Sequence, residues 1–483
     1  MSGGHGKLGE GHTPLDFVVW FIQLVFSLKK QVDYVGNWGV SRALYLCAAF
    51  IGLYVLLGHL IPNLPAFTIR WMFGTAPIWL PIGLWIMCWN AWIWYIQALF
   101  LSGRNPVLLE MKMPREITKS PRAMEVALSS FSISSGETTF IHRAWKGQLR
   151  TYFSFEIVSF GGEVHFYIWC WKNYRNVVEQ ALYAQYPEIE LVEVEDYASK
   201  FQYDPSIHSV FCTDWRRDSY VPGTKVGTRS VDAYPLKTYI DFELDKDPKE
   251  EFKVEPLASV IEYFSSLKPN EQAWAQIVIR KAGNYDGVLF PKDMDHEWQD
   301  AVRSEINRVQ FVATTPPHDP DDEHHDPSHE IQRSQFPRPS ESQKEQLIAM
   351  ERNFGKFAFE VGMRGCYLST GDLHGPTYSG IRYLWRPFNN AQYRSQLKPK
   401  RWTNDFDYPW QDINGIRMVN QTRRFLDAFR RRSFFTSPWK TPTFIMTNEE
   451  LASLWHPPSA TVQAPGLARI PATKASAPAN LPR

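Results

Sequence analysis

Apolar residues are massed near the N-terminus. Ala43–Ile61, ALYLCAAFIGLYVLLGHLI, is 19 residues long and carries no formal charge. At ~1.5 Å per residue it matches a hydrocarbon core of ~30 Å. Residues 71–103 hold no charged side chain, and their centre, IWLPIGLWIMCWNAWIWYIQALFL, supplies a second span. The short PNLPAFTIR (62–70) joins the two, so the pattern predicts a transmembrane hairpin over 41–104. Trp85, Trp89 and Trp92 share one helix face and read as lipid-facing or interfacial. Lys29, Lys30 and Arg42 precede the hairpin, Arg104, Lys112, Arg115, Lys119 and Arg122 follow it, and the connection holds only Arg70. This asymmetry predicts a multi-pass protein of the inner (cytoplasmic) membrane with both termini in the cytoplasm. Residues 15–28 are apolar but short for a span, and the segment 1–40 is expected to hold an in-plane or packed helix. It lacks a cleavage signal, and Ser2 rather than Gly follows the initiator Met, so no myristoylation signal is present.

The pattern then changes. Residues 105–125 read as a polar, proline-punctuated connector. TYFSFEIVSF (151–160) and EVHFYIWCW (163–171) alternate as strands around Gly161 and Gly162, a hairpin signal. A helix is expected over 172–187 and a strand over 189–197. Strand, helix, strand and helix follow at 236–244, 256–267, 272–282 and 295–311. Beyond a break come a helix (342–354), a strand (356–369), helices over 376–388 and 416–432, and a strand (441–446). Thr447 and Glu450 form a capping-box pair that opens a last helix. This order predicts an α+β fold with cytoplasmic sandwich domains of ferredoxin-like type, although no sequence repeat links the halves. The expected division is an α+β domain over 105–312, an acidic, His-rich linker over 313–340, a second α+β subdomain with a basic surface over 341–456, and a flexible Pro/Ala-rich tail over 457–483.

Composition sharpens this only in part. The chain has 483 residues, a net charge of +1, 44% hydrophobic residues and 21% charged ones, which excludes a wholly disordered chain and a globally basic nucleic-acid binder. Its five Cys form no CxxC pair, so neither a disulfide framework nor a zinc ribbon is indicated. No GxxxxGK[ST] occurs, and no GxSxG, HExxH or kinase signature is present. No cofactor and no catalytic residue is therefore expected.

Two segments carry candidate chemistry. PPHDPDDEHHDPSHE (316–330) holds six acids and four His, and His318, His324, His325 and His329 are its possible metal ligands. Proline-broken low complexity argues instead for a solvated linker. The second segment is 376–440, with thirteen Lys/Arg against four acids. On its helix 416–432, Arg423, Arg424, Arg430, Arg431 and Arg432 flank the apolar face and are expected to face outward, where they can dock an acidic partner or anionic lipid. A nucleic-acid backbone is the third possible ligand of this surface.

SPRAMEVALSS (120–130), YFSFEIVSFGGEVHFYIW (152–169), YRNVVEQALYAQYPEIELVEVEDY (174–197) and FIMTNEELASLWHPPS (444–459) together resemble a family of membrane proteins from small-genome candidate-phylum bacteria. That family is similar to the N-terminal, non-motor region of type IV secretion and conjugation ATPases, and it has no assigned catalytic residues. The resemblance covers about residues 13–483. It implies the non-motor half of such an ATPase made as a separate polypeptide: a non-catalytic membrane anchor or docking subunit. Its expected partners are the membrane, a separately encoded ATPase and further copies of itself. The alternatives are a membrane-tethered metal-dependent hydrolase built on the His run, or a membrane-surface nucleic-acid-binding protein built on 376–440.

Overall fold

The computed structural model describes residues 63–470, except 115–116, 118, 134–138, 220–231, 247–253, 283–293, 315–339, 394, 401–405, 407, 437–438, 461 and 463, together with scattered positions between 47 and 61. The chain forms two compact units, Met1–Trp89 with Phe406–Met418, and Asn90–Asp405 with Val419–Arg483.

Helix α1 (Leu64–Ser102) contributes residues to both units. Its 39 residues include one charge, Arg70. Among the described residues it is the one helix long and apolar enough to cross a membrane. Trp71, Phe73 and Trp85 are exposed along it. Most of the expected connection 62–70 is helical, because Pro65 falls in the first turn, where no intrahelical N–H is needed. Of the stretch 43–61, ten positions are described, and nine of them, between 47 and 59, are helical.

The second unit is mixed helix and antiparallel sheet, an α+β fold. Its first half runs β1 (Pro106–Pro114), α2 (Pro121–Ser129), α3 (Phe140–Ala144), β2 (Tyr152–Phe160), β3 (Glu163–Trp171), α4 (Arg175–Gln185), β4 (Glu190–Val194) and the single turn α5 (Tyr197–Lys200). Next come β5 (His208–Ser219), α6 (Leu257–Ser265), β6 (Glu271–Lys281), α7 (Met294–Thr314), α8 (Glu341–Phe354), β7 (Ala358–Thr370), α9 (Gly375–Arg382) and β8 (Ser395–Pro399). Helix α10 (Ile416–Arg430), β9 (Phe444–Thr447), α11 (Asn448–Leu454) and β10 (Arg469–Ile470) complete it.

Among the described residues, all ten strands share one sheet. In the first half the strands lie in the order β4-β1-β3-β2, and in the second in the order β8-β5-β7-β6. Every neighbouring pair along both paths is antiparallel. The two halves therefore follow the same path, strand-helix-strand, strand-helix-strand, with α7 and α8 inserted in the second. They join edge to edge through β2 and β6, from Tyr152↔Arg280 to Phe160↔Gln272, and the middle pair of that ladder is Glu156↔Gln276. β7 and β8 come from beyond residues 313–340 and complete the second half.

Both faces of the sheet are covered, so β2, β6 and β7 are buried along nearly their whole length. On one face lie α2, α4, α6, α9 and α11, through Met124, Leu182, Phe264, Ile381 and Leu451 among others. The other face takes Phe425, Leu426 and Phe429 of α10, Tyr197 and Ala198 of α5, and Phe100 and Leu101 of α1. A third cluster joins α7 and α8 around Trp298 and Met350.

Four sequence expectations change in this unit. The polar connector 105–125 holds β1 and the start of α2, because its prolines fall where the backbone tolerates them, at the ends of the strand and in the first turn of the helix. Residues 236–244, expected as a strand, fold into successive turns. Asp241 Oδ2 accepts from Thr238 N at 2.7 Å, Asp241 N and Phe242 N donate to Thr238 O, and Glu243 has φ 55°. Such side chain–backbone bonds compete with a ladder. Leu236, Tyr239 and Leu244 are buried all the same. The segment expected as one helix over 376–388 is α9 followed by a separate 3₁₀ turn at Arg386–Phe388. The tail expected to be flexible from 457 is packed in its described part: Val462 and Leu467 are buried in the core, and β10 pairs with β1. Gly161 (φ 60°) and Gly162 (φ 95°) turn the β2–β3 hairpin as expected, and the Thr447–Glu450 capping box opens α11.

Candidate functional site

A row of polar side chains crosses the sheet on the face beneath α10. Facing register positions place Glu110 (β1), Tyr167 (β3), Glu156 (β2), Gln276 (β6), Arg364 (β7) and Asp214 (β5) side by side. Directly facing residues of antiparallel strands share a face, so the row is continuous. The two outermost members, Glu110 and Asp214, stand three positions from the β2–β6 junction on either side. Each carboxylate has a basic side chain as a neighbour. His165 Nδ1 lies 2.7 Å from Glu110 and, through that hydrogen bond, holds its carboxyl below the ordinary value against the effect of burial. Burial pushes Asp214 up, while Arg364 and Lys400 pull it back. Burial also draws the Arg364 guanidinium down to about 10. Arg364 donates from Nη2 to Ser433 O at 2.5 Å and stacks 3.7 Å from the Phe434 ring centre.

At the centre stands Glu156. It accepts from Ser154 Oγ (2.6 Å), Tyr197 Oη (2.7 Å), Gln276 Nε2 (2.9 Å), and Arg432 Nε and Nη2 (3.0 and 3.1 Å). Arg432 also donates from Nη2 to Asp196 Oδ1 at 2.9 Å and from Nη1 to Asp196 Oδ2. Burial alone would lower the Arg432 guanidinium, but Glu156 and Asp196 outweigh it and hold it well above its ordinary value. Arg432 N donates to Phe429 O and Ser433 N to Ala428 O, the two bonds of a Schellman helix end. Arg432 occupies the left-handed position of that motif, φ 50°, where glycine is usual.

Arg432 is therefore the correction to the outward-facing set. It has no exposed surface, and its side chain points into the sheet. Arg430 is half-buried and donates to Ala198 O (3.1 Å) and Phe201 O (3.0 Å), so it ties α10 to α5. Arg423, Arg424 and Arg431 do face outward. Arg424 lies over the Trp439 ring at 5.3 Å, and Arg431 pairs with Asp427 at 3.0 Å. Five candidates thus separate into two structural ties and three surface cations. Glu156, Asp196, Gln276, Arg364 and Asp214 were not anticipated as a site.

Glu255, His456 and Ser459 also meet, in a Ser/carboxylate/His group whose Glu255 and His456 are buried and whose Ser459 is half-buried. His456 Nε2 is 3.0 Å from Glu255 Oε1, and Ser459 Oγ donates to Glu255 Oε2 at 2.5 Å. The carboxylate stands between the other two, whereas nucleophile activation needs Ser against His. Burial pushes Glu255 up, but the bonds from His456 and Ser459 hold it below its ordinary value. The group fastens the segment after α11 to the start of α6. Arg150, Tyr152, Arg280 and Arg432 line a cleft of about 10 Å³, room for about one water. Among the described residues no three His, Cys, Asp or Glu are grouped to hold a metal ion. His318, His324, His325 and His329 lie outside the described residues.

No protein-family model matches the chain, and no curated protein matches it.

Proposed function

We propose that this chain is a non-catalytic membrane anchor and docking subunit of a type IV secretion- or DNA-translocation-like system, seating a separately encoded ATPase. In this reading the protein lies in the inner membrane, with 43–61 and the apolar part of α1 as the two spans of a hairpin and both termini in the cytoplasm. The repeated path β4-β1-β3-β2 and β8-β5-β7-β6 supports reading the cytoplasmic part as two ferredoxin-like units.

The observation that carries the reading is a division of labour among charged groups. At the centre of the sheet face buried charges are bonded to one another, as Arg432 is to Glu156 and Asp196, while Arg423 and Arg424 stand exposed on a helix of the same unit that α1 enters. Buried charges held in pairs fix a shape, and charges on the surface set the electrostatic match to a partner. The test is purification of the full chain from native membranes. An ATPase should co-purify and dissociate as salt is raised. Recovery of the chain from the soluble fraction, or from membranes with no ATPase bound at low salt, overturns the reading. Single cysteines at positions 66 and 320 test topology: reagent outside intact cells should reach 66 and not 320.

A further inference from the structure

Helix α1 holds Arg70 and then no charged residue before Arg104. Twenty residues at ~1.5 Å cover the ~30 Å of a hydrocarbon core. Counted along the helix from Arg70, that length ends near Asn90. The next turns carry Trp92, Trp94 and Tyr95, exposed by 38, 49 and 56%. Trp and Tyr at this depth are the residues that settle among lipid headgroups.

Helix α3 is built onto these turns. Trp92 Nε1 donates to Ala144 O at 2.8 Å, and the Trp92 ring meets Trp145 edge to face at 5.7 Å. Gly147, with φ +59°, lets the backbone close on α1, since a Cβ there would come within 2.4 Å of Ile96 O. Such contact is available to glycine alone. Thus seated, α3 turns Phe140, Ile141 and Trp145 outward, exposed by 43, 58 and 59%. Lys146 is exposed beside them. Large apolar side chains grouped outward on one short turn mark a surface that meets a membrane or a partner.

We infer that α3, locked onto α1 through Trp92 and Gly147, is a membrane-seating element whose Phe140, Ile141 and Trp145 enter the headgroup layer of the phospholipid bilayer that α1 crosses. This rests on the membrane reading of α1. The occupant is lipid rather than protein because the patch is continuous with Trp92, Trp94 and Tyr95 of that helix. It adds a second contact, so that the cytoplasmic unit is held to the bilayer surface by more than one strand of chain.

The full chain tests this, with Cys47→Ser and Cys88→Ser to remove the exposed thiols; Cys170, Cys212 and Cys366 are buried. Ile141→Cys carries an environment-sensitive fluorophore. Glu163→Cys is the control: it lies at the far end of β3 from Trp171, which packs against Phe100 of α1 at 6.0 Å, a strand length of roughly 27 Å. In vesicles of phosphatidylcholine and phosphatidylglycerol, nitroxide-bearing lipid should quench the label at 141 several-fold more than at 163, and aqueous iodide should do the reverse. Equal iodide quenching at both positions in chain that floats with the vesicles overturns the inference and leaves the anchor reading standing. A label at 141 shielded from both quenchers lies against protein, a second copy or a partner, and also overturns it. Chain that does not float overturns both readings.

Discussion

Arg432 and Glu156 stand 276 residues apart in the chain and meet as a two-pronged ion pair with no exposed surface on either side chain. Taking both charges out of water costs several kcal/mol each, so such a pair is tolerable only when the remaining lone pairs and protons are bonded. Here they are: Ser154, Tyr197 and Gln276 complete Glu156, and Asp196 completes Arg432. The pair fixes the end of α10 over the junction of the two half-sheets. That end determines which arginines of the helix remain outside.

Removing one partner should therefore cost far more than removing both. Arg432→Ala leaves Glu156 buried and uncompensated and should lower unfolding free energy by about 3–5 kcal/mol. Arg432→Met combined with Glu156→Gln should cost clearly less than Arg432→Ala. Because Arg432 sits at φ 50°, Arg432→Gly should be less harmful than Arg432→Ala by about 1 kcal/mol. Denaturant unfolding of the three variants and wild type checks the order.

Much of this was legible from residues, and the misreading of Arg432 has a definite cause. Thr422, Phe425 and Phe429 mark the buried face of α10, and Arg432 continues the same stripe at three residues from Phe429 and seven from Phe425. A run of three arginines reads as surface by composition, yet the spacing put the last on the apolar face. Glu156 likewise was the one charge in the otherwise apolar or hydroxyl run YFSFEIVSF, a signal that a partner must meet it in the core. The helices with strong spacing and caps, α8 and α11, were readable because their signals are local. The pairing of β2 with β6 and the place of β7 between β6 and β5 were not. They are set by contacts between residues 78 to 162 apart in the chain, and strand β5 hides behind the charges of HSVFCTDWRRDS.

Gly362 lies beneath the Phe434 ring, and a Cβ there would fall 2.4 Å from it. Phe434 in turn stacks on Arg364. Gly362→Ala should destabilise by about 1–3 kcal/mol through overpacking. Adding Phe434→Leu should recover part of the loss. If the double variant is no more stable than Gly362→Ala alone, the ring is not what the new methyl meets.

Glu360 gives stability a pH dependence of known sign. Burial alone would raise its pKa. The charges of Arg280 and Arg150 and the Thr443 hydrogen bond outweigh that and bring it from 4.5 to about 2. A carboxyl depressed in the folded state contributes fully above the unfolded value and loses the contribution as pH falls through the folded one. Wild type should exceed Glu360→Gln by on the order of 3 kcal/mol near neutral pH. The gap should narrow below pH 4.5 and close towards about 2. Unfolding curves of both proteins across that range measure it.

The surface arginines should behave oppositely to the buried ones. Arg423 and Arg424 are exposed, and Arg431, also on the surface, pairs with Asp427 of α10. Reversing all three to Glu removes no core contact, so stability should change by no more than about 0.5 kcal/mol per site. If the helix docks an acidic partner or anionic lipid, binding should weaken strongly at low salt. The difference from wild type should shrink as salt rises, because exposed charges act within a Debye length of ~8–10 Å. Reversal at Arg430 or Arg432 should instead unfold the end of α10 and abolish binding by loss of structure, which thermal melts detect. Titrations of the triple variant against the co-purified ATPase and against anionic vesicles separate the two ligands. Binding equal to wild type in both at low salt removes this face of α10 from the docking surface.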